Sequence, residues 1–199
     1  MKIIFFSLIR LFIKRITGLG NVPKKGGFIV IANHESYMDP LLISSIIIPR
    51  VDKKVHYLAR SEYTMTFGRF FEYLFYKKIV ELIIMHEDSY KEGIFDKALT
   101  KLKKGGIVGI FPRIPETKEI KTGFVRLAIA SEVPILPILL VGASKIAPLG
   151  TRNLPFKKKL IKPKRAEIKI SKPVYLTKYY GKILSKAAIR KLAEEVYDL

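Results

Sequence analysis

The chain of 199 residues is long enough for one domain with a substantial core and too short for two full domains. It combines 49% hydrophobic residues with a net charge of +20, which indicates an anionic partner, either an acidic lipid surface or a nucleic acid. The absence of cysteine excludes disulfides and a thiolate nucleophile, and with only three histidines we expect neither a metal site nor a cofactor.

The first 16 residues predict an amphipathic helix. Ile, Leu and Phe surround a narrow polar stripe at helical spacing, formed by Ser7, Arg10, Lys14 and Thr17. The longest uncharged run of this segment, Ile3 to Ile9, is far shorter than the ~20 residues of a membrane-spanning helix. Cations interrupt the apolar segment and no small-residue cleavage pattern follows, which argues against a signal peptide.

Two environments fit this helix: a membrane surface, or the protein's own core. The charge pattern favours the membrane, because several cations and no acidic residue precede Glu35. We therefore expect residues 1–18 to be a membrane-associating helix and residues 19–199 to form the main domain.

A histidine follows the first candidate for a buried strand. Residues 28–32 are apolar and mostly β-branched and follow a Gly-Gly pair, which predicts a strand ending just before His34. Asp39 and Pro40 are the residue types of a helix N-cap and a first helical position, so a helix should begin there and end at Pro49. A carboxylate that orients this imidazole would give a general base. A plain helix cap and a hydrogen-bonded loop histidine are the alternative interpretations.

The rest of the chain alternates strands with helices. The predicted strands are residues 55–59, 79–85, 107–111, 133–141 and 166–170. The predicted helices are residues 61–77, 89–104, 123–131 and 185–197. This alternation predicts an α/β fold, a single-domain sandwich with a largely parallel central sheet flanked by helices. The helix at 61–77 has an aromatic side that fits core packing or, alternatively, an acyl-chain groove.

Residues 152–172 carry nine cations and one acidic residue, Glu167. Such a run fits a solvated loop or a patch that binds lipid headgroups. No zinc module, helix-turn-helix or aromatic RNA-binding pattern accompanies it, so we expect no nucleic acid partner.

Three segments resemble, in order, the motifs of the glycerolipid acyltransferases. His34 and Asp39, preceded by Asn33, are similar to the H-x-x-x-x-D motif. Residues 105–112 (Gly-Gly-Ile-Val-Gly-Ile-Phe-Pro) resemble the approach to the F-P-E-G-T-R motif, and residues 133–138 are similar to V-P-I-x-P-V. The most similar branch is the 1-acylglycerol-3-phosphate acyltransferases, and the three matches span well over half the chain.

This resemblance implies an acyltransferase domain of the glycerol-3-phosphate acyltransferase type at residues 19–199. The enzyme would move an acyl group from acyl-CoA or acyl-carrier protein to a lysophospholipid hydroxyl, with 1-acylglycerol-3-phosphate as the default acceptor. His34 would be the general base and Asp39 would orient it. The protein would be a peripheral membrane protein at the cytoplasmic face, bound to an anionic membrane surface.

The third motif departs from the family pattern. Residues 111–116 read Phe-Pro-Arg-Ile-Pro-Glu, so Arg113 stands at the Glu position and Glu116 at the Arg position. The second motif region, residues 83–87, also lacks its Arg, whereas Lys121-Thr122-Gly123 does resemble the family. The candidate substrate-binding residues are therefore Asn33, Arg113, Glu116, Lys118, Lys121 and Gly123.

Loss of both expected arginines leaves three alternatives, because bidentate phosphate recognition by arginine is not freely replaced. Neighbouring cations could bind the acceptor phosphate. The acceptor could instead be a different lipid, or a sugar, without a phosphate. In the third alternative the protein binds lipid or membrane without catalysis.

Overall fold

A computed structural model describes residues 2–60, 80–85, 93–113, 119–146, 148–149 and 166–198. The described helices are α1 (Lys2–Arg10), α2 (Asp39–Val51), α3 (Gly93–Lys103), α4 (Gly123–Ser131) and α5 (Lys186–Tyr197). The described strands are β1 (Ile13–Thr17), β2 (Phe28–Ala32), β3 (Val55–Arg60), β4 (Val80–Met85), β5 (Ile107–Ile110), β6 (Ile135–Val141) and β7 (Ala166–Ile170).

The seven strands form one sheet in the order β1-β7-β6-β2-β5-β3-β4. Strands β6, β2, β5, β3 and β4 run parallel, β7 is antiparallel to β6, and β1 is parallel to β7. Strand β2 lies in the middle of the sheet, and all five of its residues are buried. Because β2 is parallel to its neighbours β5 and β6, the carboxyl ends of the three strands lie at the same edge of the sheet. The predicted α/β fold with a largely parallel sheet is confirmed.

Helices cover both faces of the sheet, as the alternating side chains of the central strand require. Phe28, Val30 and Ala32 of β2 belong to a core shared with α1 and α2. Ile29 and Ile31 face the opposite core, shared with α3, α4 and α5. The domain is therefore a three-layer sandwich, and none of its described helices is long and apolar enough to cross a membrane.

The prediction of a helix through residue 16 is wrong, because α1 ends at Arg10 and residues 13–17 form the edge strand β1. Ile13 and Ile16 are three residues apart, as on a helix, yet both pack against the core from this strand. A register irregularity between Ile13 and Arg15 inserts one residue and brings both isoleucines to the same face. A bulged strand therefore imitates helical periodicity here.

Helix α1 packs on α2 and contributes to the core. Phe6 and Ile9 are buried in it, while Leu8 is 56% exposed and Leu11, directly after the helix, is 60% exposed. One face of α1 therefore packs on the protein's own core, one of the two environments considered from the sequence, and membrane contact by the other face stays a prediction.

The prediction that Pro49 ends helix α2 is also wrong, because the helix continues to Val51. Proline has no N–H and leaves the carbonyl four residues earlier without its helical donor. That carbonyl belongs to Ser45, and the Arg10 guanidinium donates to it from Nε (3.3 Å) and Nη2 (3.1 Å). A side chain of α1 thus replaces the hydrogen bond that Pro49 removes, and so ties α1 to α2.

Several helix ends agree with their sequence signals. Ser185 caps α5 by accepting a hydrogen bond from the Ala188 amide. Gly105 follows α3 with φ 73°, in the left-handed region expected of a glycine after a helix. The predicted helix at 61–77 and residues 89–92 of the predicted helix at 89–104 lie outside the described residues.

Candidate active site

The carboxyl end of β2 delivers His34 to the loop that precedes α2. Its Nδ1 lies 2.9 Å from Oδ2 of Asp39, the first residue of that helix. The His34 side chain is 28% exposed and that of Asp39 is fully buried. The structure therefore joins the two residues that the sequence proposed as a catalytic pair and leaves the histidine accessible.

Asp39 acts differently from the predicted helix cap. Met38 occupies the cap position and makes no side-chain cap bond. The Asp39 carboxylate instead turns back to the loop, where Oδ2 accepts from the amides of Glu35 and Ser36, each at 2.8 Å. Oδ2 thus receives three hydrogen bonds, and its negative charge lies at the favourable N-terminal end of α2. One oxygen holds both the histidine and the backbone of its loop.

Asn33 ties the same loop to β6. Its Nδ2 donates to the Leu140 carbonyl and its Oδ1 accepts from the Leu140 amide, both at 2.8 Å. The side chain therefore pairs with the backbone of β6 as a neighbouring strand would, immediately before His34. Substrate contact by Asn33 stays a prediction, and its observed bonds position the histidine loop.

Aromatic rings that no local pattern indicated lie beside the histidine. Phe111, just after β5, stacks on the His34 ring with 4.1 Å between centroids and 18° between planes. Tyr57 of β3 stacks on Phe111 with 5.7 Å and 8°. Gly109 in β5 is the one sequence signal for this contact, since a glycine inside a strand often marks close approach by another group.

The predicted substrate-binding cations lie after β5. Lys121 and Arg190 both pair with Glu119, at 3.4 and 3.2 Å. Among the described residues Arg113 forms no ion pair, and its guanidinium lies 5.0 Å from the ring centroid of Tyr197 at the end of α5. Tyr197 is a further neighbour of the site that the sequence did not indicate.

Three further residues were predicted to bind the substrate: Glu116, Lys118 and Gly123. Glu116 and Lys118 lie outside the described residues. Gly123 is the first residue of α4, and a methyl group there would meet no atom of the described residues within 4 Å. Within the described ranges no group of three or more His, Asp or Glu side chains is arranged to hold a metal ion.

Burial raises the pKa of Tyr197 above its ordinary value of 10.0, the Arg113 guanidinium opposes this, and the Asp198 and Glu35 carboxylates add to it. Tyr197 is therefore within electrostatic reach of both the histidine loop and the loop after β5. The end of the last helix belongs to the surroundings of the candidate site.

The α/β sandwich thus has a His–Asp pair at the carboxyl end of its central strand, an arrangement that can act as a general base. A family model described as acyltransferase matches residues 14–141, and the chain belongs to this acyltransferase family.

Two relatives similar in sequence to this chain carry the same enzyme name. The chain is 30% identical over 127 residues to a 1-acyl-sn-glycerol-3-phosphate acyltransferase of Bacillus subtilis, a match covering 62% of this chain and 60% of the relative. A protein of the same name from Borreliella burgdorferi is 28% identical over 133 residues, covering 63% of this chain and 50% of the relative. The match thus spans between half and three-fifths of these curated relatives.

A solved structure shares the fold. The crystal structure of the 1-acyl-sn-glycerophosphate acyltransferase PlsC from Thermotoga maritima is 24% identical, with a TM-score of 0.63. The superposition covers 99% of this chain and 75% of that chain. The predicted resemblance to the 1-acylglycerol-3-phosphate acyltransferase branch is confirmed at the level of family and fold.

Proposed function

We propose that this protein is an O-acyltransferase that moves a fatty acyl group from acyl-CoA or acyl-carrier protein to the hydroxyl of 1-acylglycerol-3-phosphate. The observation that carries the proposal is the 2.9 Å contact between His34 Nδ1 and the buried Asp39 carboxylate. The names of the curated relatives support this acceptor.

The geometry suits general-base catalysis by His34. With Nδ1 directed to Asp39, the other ring nitrogen, Nε2, is left to accept the proton of the acceptor hydroxyl. The hydroxyl oxygen attacks the thioester carbonyl and forms a tetrahedral intermediate, and Asp39 stabilises the imidazolium produced. Collapse of the intermediate breaks the carbon–sulfur bond, and the departing thiolate takes the proton back from His34. The products are the acylated lipid and the free thiol of the carrier.

We further propose Arg113 as the ligand of the acceptor phosphate. It follows Phe111, which touches the His34 ring, by two residues. Lys121 shares the carboxylate of Glu119 with Arg190, whereas Arg113 forms no ion pair among the described residues. A guanidinium that is not neutralised by a carboxylate can bind a phosphate with two parallel hydrogen bonds.

We propose peripheral attachment to the cytoplasmic face of a membrane. The exposed side of α1 presents Leu8, exposed Leu11 follows directly after the helix, and the net charge of +20 suits an anionic lipid surface. Flotation with anionic vesicles tests this attachment. Replacing both leucines by glutamate should abolish flotation, whereas undiminished flotation would contradict attachment through α1.

The test of the enzyme proposal is transfer from radiolabelled acyl-CoA and acyl-carrier protein to two acceptors, 1-acylglycerol-3-phosphate and monoacylglycerol. Wild type should prefer the phosphate-bearing acceptor, and His34→Ala should abolish transfer while circular dichroism stays unchanged. Arg113→Ala should raise KM for the phosphate-bearing acceptor by about tenfold or more, the effect of one lost charged hydrogen bond, and leave monoacylglycerol unaffected. Absence of transfer by wild type from either donor would overturn the proposal in favour of lipid binding.

A further inference from the structure

We propose that Phe111 and Tyr57 are positioning residues that fix the plane of the His34 ring for proton transfer. This inference rests on the proposed function, because it assigns a role in the same reaction. We call the three stacked rings of His34, Phe111 and Tyr57 the aromatic column.

The bond to Asp39 alone leaves the imidazole free to tilt. One hydrogen bond fixes the direction of Nδ1, but the side-chain torsion next to an aromatic ring is broad and permits rotation. Phe111 lies against one face of the ring at 4.1 Å and nearly parallel to it, so tilting toward that face is blocked. The carboxylate and the phenyl ring together determine where Nε2 points.

Phe111 is supported in turn from inside the sheet. Tyr57 lies behind it with ring planes within 8° of parallel, and Tyr57 is only 2% exposed. A Cβ on Gly109 would lie 2.4 Å from Cε1 and 2.5 Å from Cδ1 of Tyr57. Only glycine at this point of β5 lets the tyrosine ring lie in its observed place.

The Tyr57 hydroxyl closes the arrangement. It donates to the Pro40 carbonyl at 3.1 Å, one residue after Asp39, and lies 3.3 Å from the Ser44 hydroxyl. The first turn of α2 therefore anchors both supports of the His34 ring, the carboxylate directly and the phenyl ring through Tyr57. Because the carboxylate and the Tyr57 hydroxyl are both held by the first turn of α2, the positions of the two supports relative to each other are fixed.

Kinetics of three variants test the column. Phe111→Leu should lower kcat by about tenfold or more with KM for both substrates unchanged, since a misplaced catalytic group slows chemistry without weakening binding. Phe111→Tyr keeps the stacked ring and should restore kcat to near the wild-type value. Tyr57→Phe removes only the anchor and should give a smaller loss of kcat. Tyr175→Leu, at a 60% exposed aromatic position, is the matched control and should leave kcat unchanged.

Proton NMR of the histidine rings tests the same contact without any activity. The chain has only three histidines, and His34→Gln assigns the His34 signals. Stacking on Phe111 should shift the ring protons of His34 upfield, and Phe111→Leu should remove that shift while Tyr175→Leu preserves it. If wild type lacks transferase activity but shows this shift, the enzyme proposal fails and the stacked geometry stands.

Two results would overturn the positioning role. One is a His34 spectrum that does not respond to Phe111→Leu. The other is an increase in KM with unchanged kcat, which would make Phe111 a substrate contact.

Discussion

Asp39→Asn isolates the charge of the catalytic pair with little change of shape. The amide oxygen of asparagine can occupy the place of Oδ2 and continue to accept from the Glu35 and Ser36 amides. The amino group then takes the place of Oδ1, which accepts no hydrogen bond from any described residue. What disappears is the negative charge that faces the His34 ring.

The magnitude follows from the three hydrogen bonds at Oδ2. A hydrogen bond to a charged group contributes about 1.5–3 kcal/mol, against about 0.5–1.5 kcal/mol for a neutral one. The imidazolium formed during transfer loses this charged partner, so kcat should fall by about 10- to 100-fold, because each 1.36 kcal/mol is a factor of ten. The two amide bonds weaken in the resting protein as well, which should lower the free energy of unfolding by about 2 kcal/mol.

The assay is steady-state acyl transfer together with urea unfolding. KM should stay near the wild-type value, since the lost interaction strengthens only as His34 becomes charged. Asp52→Asn is the matched control at the other end of α2, where the residue is exposed and has φ 49°, a conformation that asparagine tolerates. A wild-type kcat for Asp39→Asn, with a folded protein, would refute electrostatic stabilisation by Asp39.

Three other substitutions test residues in the surroundings of His34 and Asp39. Gly109→Ala should displace the Tyr57 ring, lower kcat and destabilise the fold by about 1–3 kcal/mol in urea. Gly20→Ala, where a methyl group would meet no atom of the described residues within 4 Å, should do neither. Asn33→Ala removes both hydrogen-bond partners of the Leu140 backbone and should lower the free energy of unfolding by about 2 kcal/mol or more. An unchanged free energy of unfolding would contradict a stabilising role for these two bonds. Because the pKa of Tyr197 is raised in the folded state, the neutral phenol stabilises the fold at pH values below 10.0. This contribution is lost as the pH rises through the raised pKa. Tyr197→Phe should therefore flatten the decline of the urea midpoint at alkaline pH. An equally steep decline in that variant would contradict the assignment.

Local patterns were sufficient for the parts of the fold that depend on neighbouring residues. The apolar run before His34, the Asp-Pro helix start and the glycines after α3 each correspond to an observed element. The histidine and its carboxylate are five residues apart and share one short loop, so their contact could be anticipated from sequence.

Contacts between distant segments could not be predicted in this way. The bulge of β1 depends on its pairing with β7, and helix α2 passes Pro49 because Arg10 satisfies a carbonyl from another helix. The stacking of Phe111 on His34 and of Tyr57 on Phe111 brings together the ends of β2 and β5 and the interior of β3. Periodicity within one segment carries no information about such partners.

The position of β1 has a consequence for the order of folding. Among the described strands β1 pairs only with β7, and the Asn21 side chain donates to the Ile170 carbonyl 149 residues later. Closing so long a loop is entropically costly, and such distant pairing is slow. During synthesis β1 therefore cannot pair with β7 until residues 166–170 have left the ribosome. Of the described strands, β1 comes first in the chain and depends on the last, β7, for its place in the sheet.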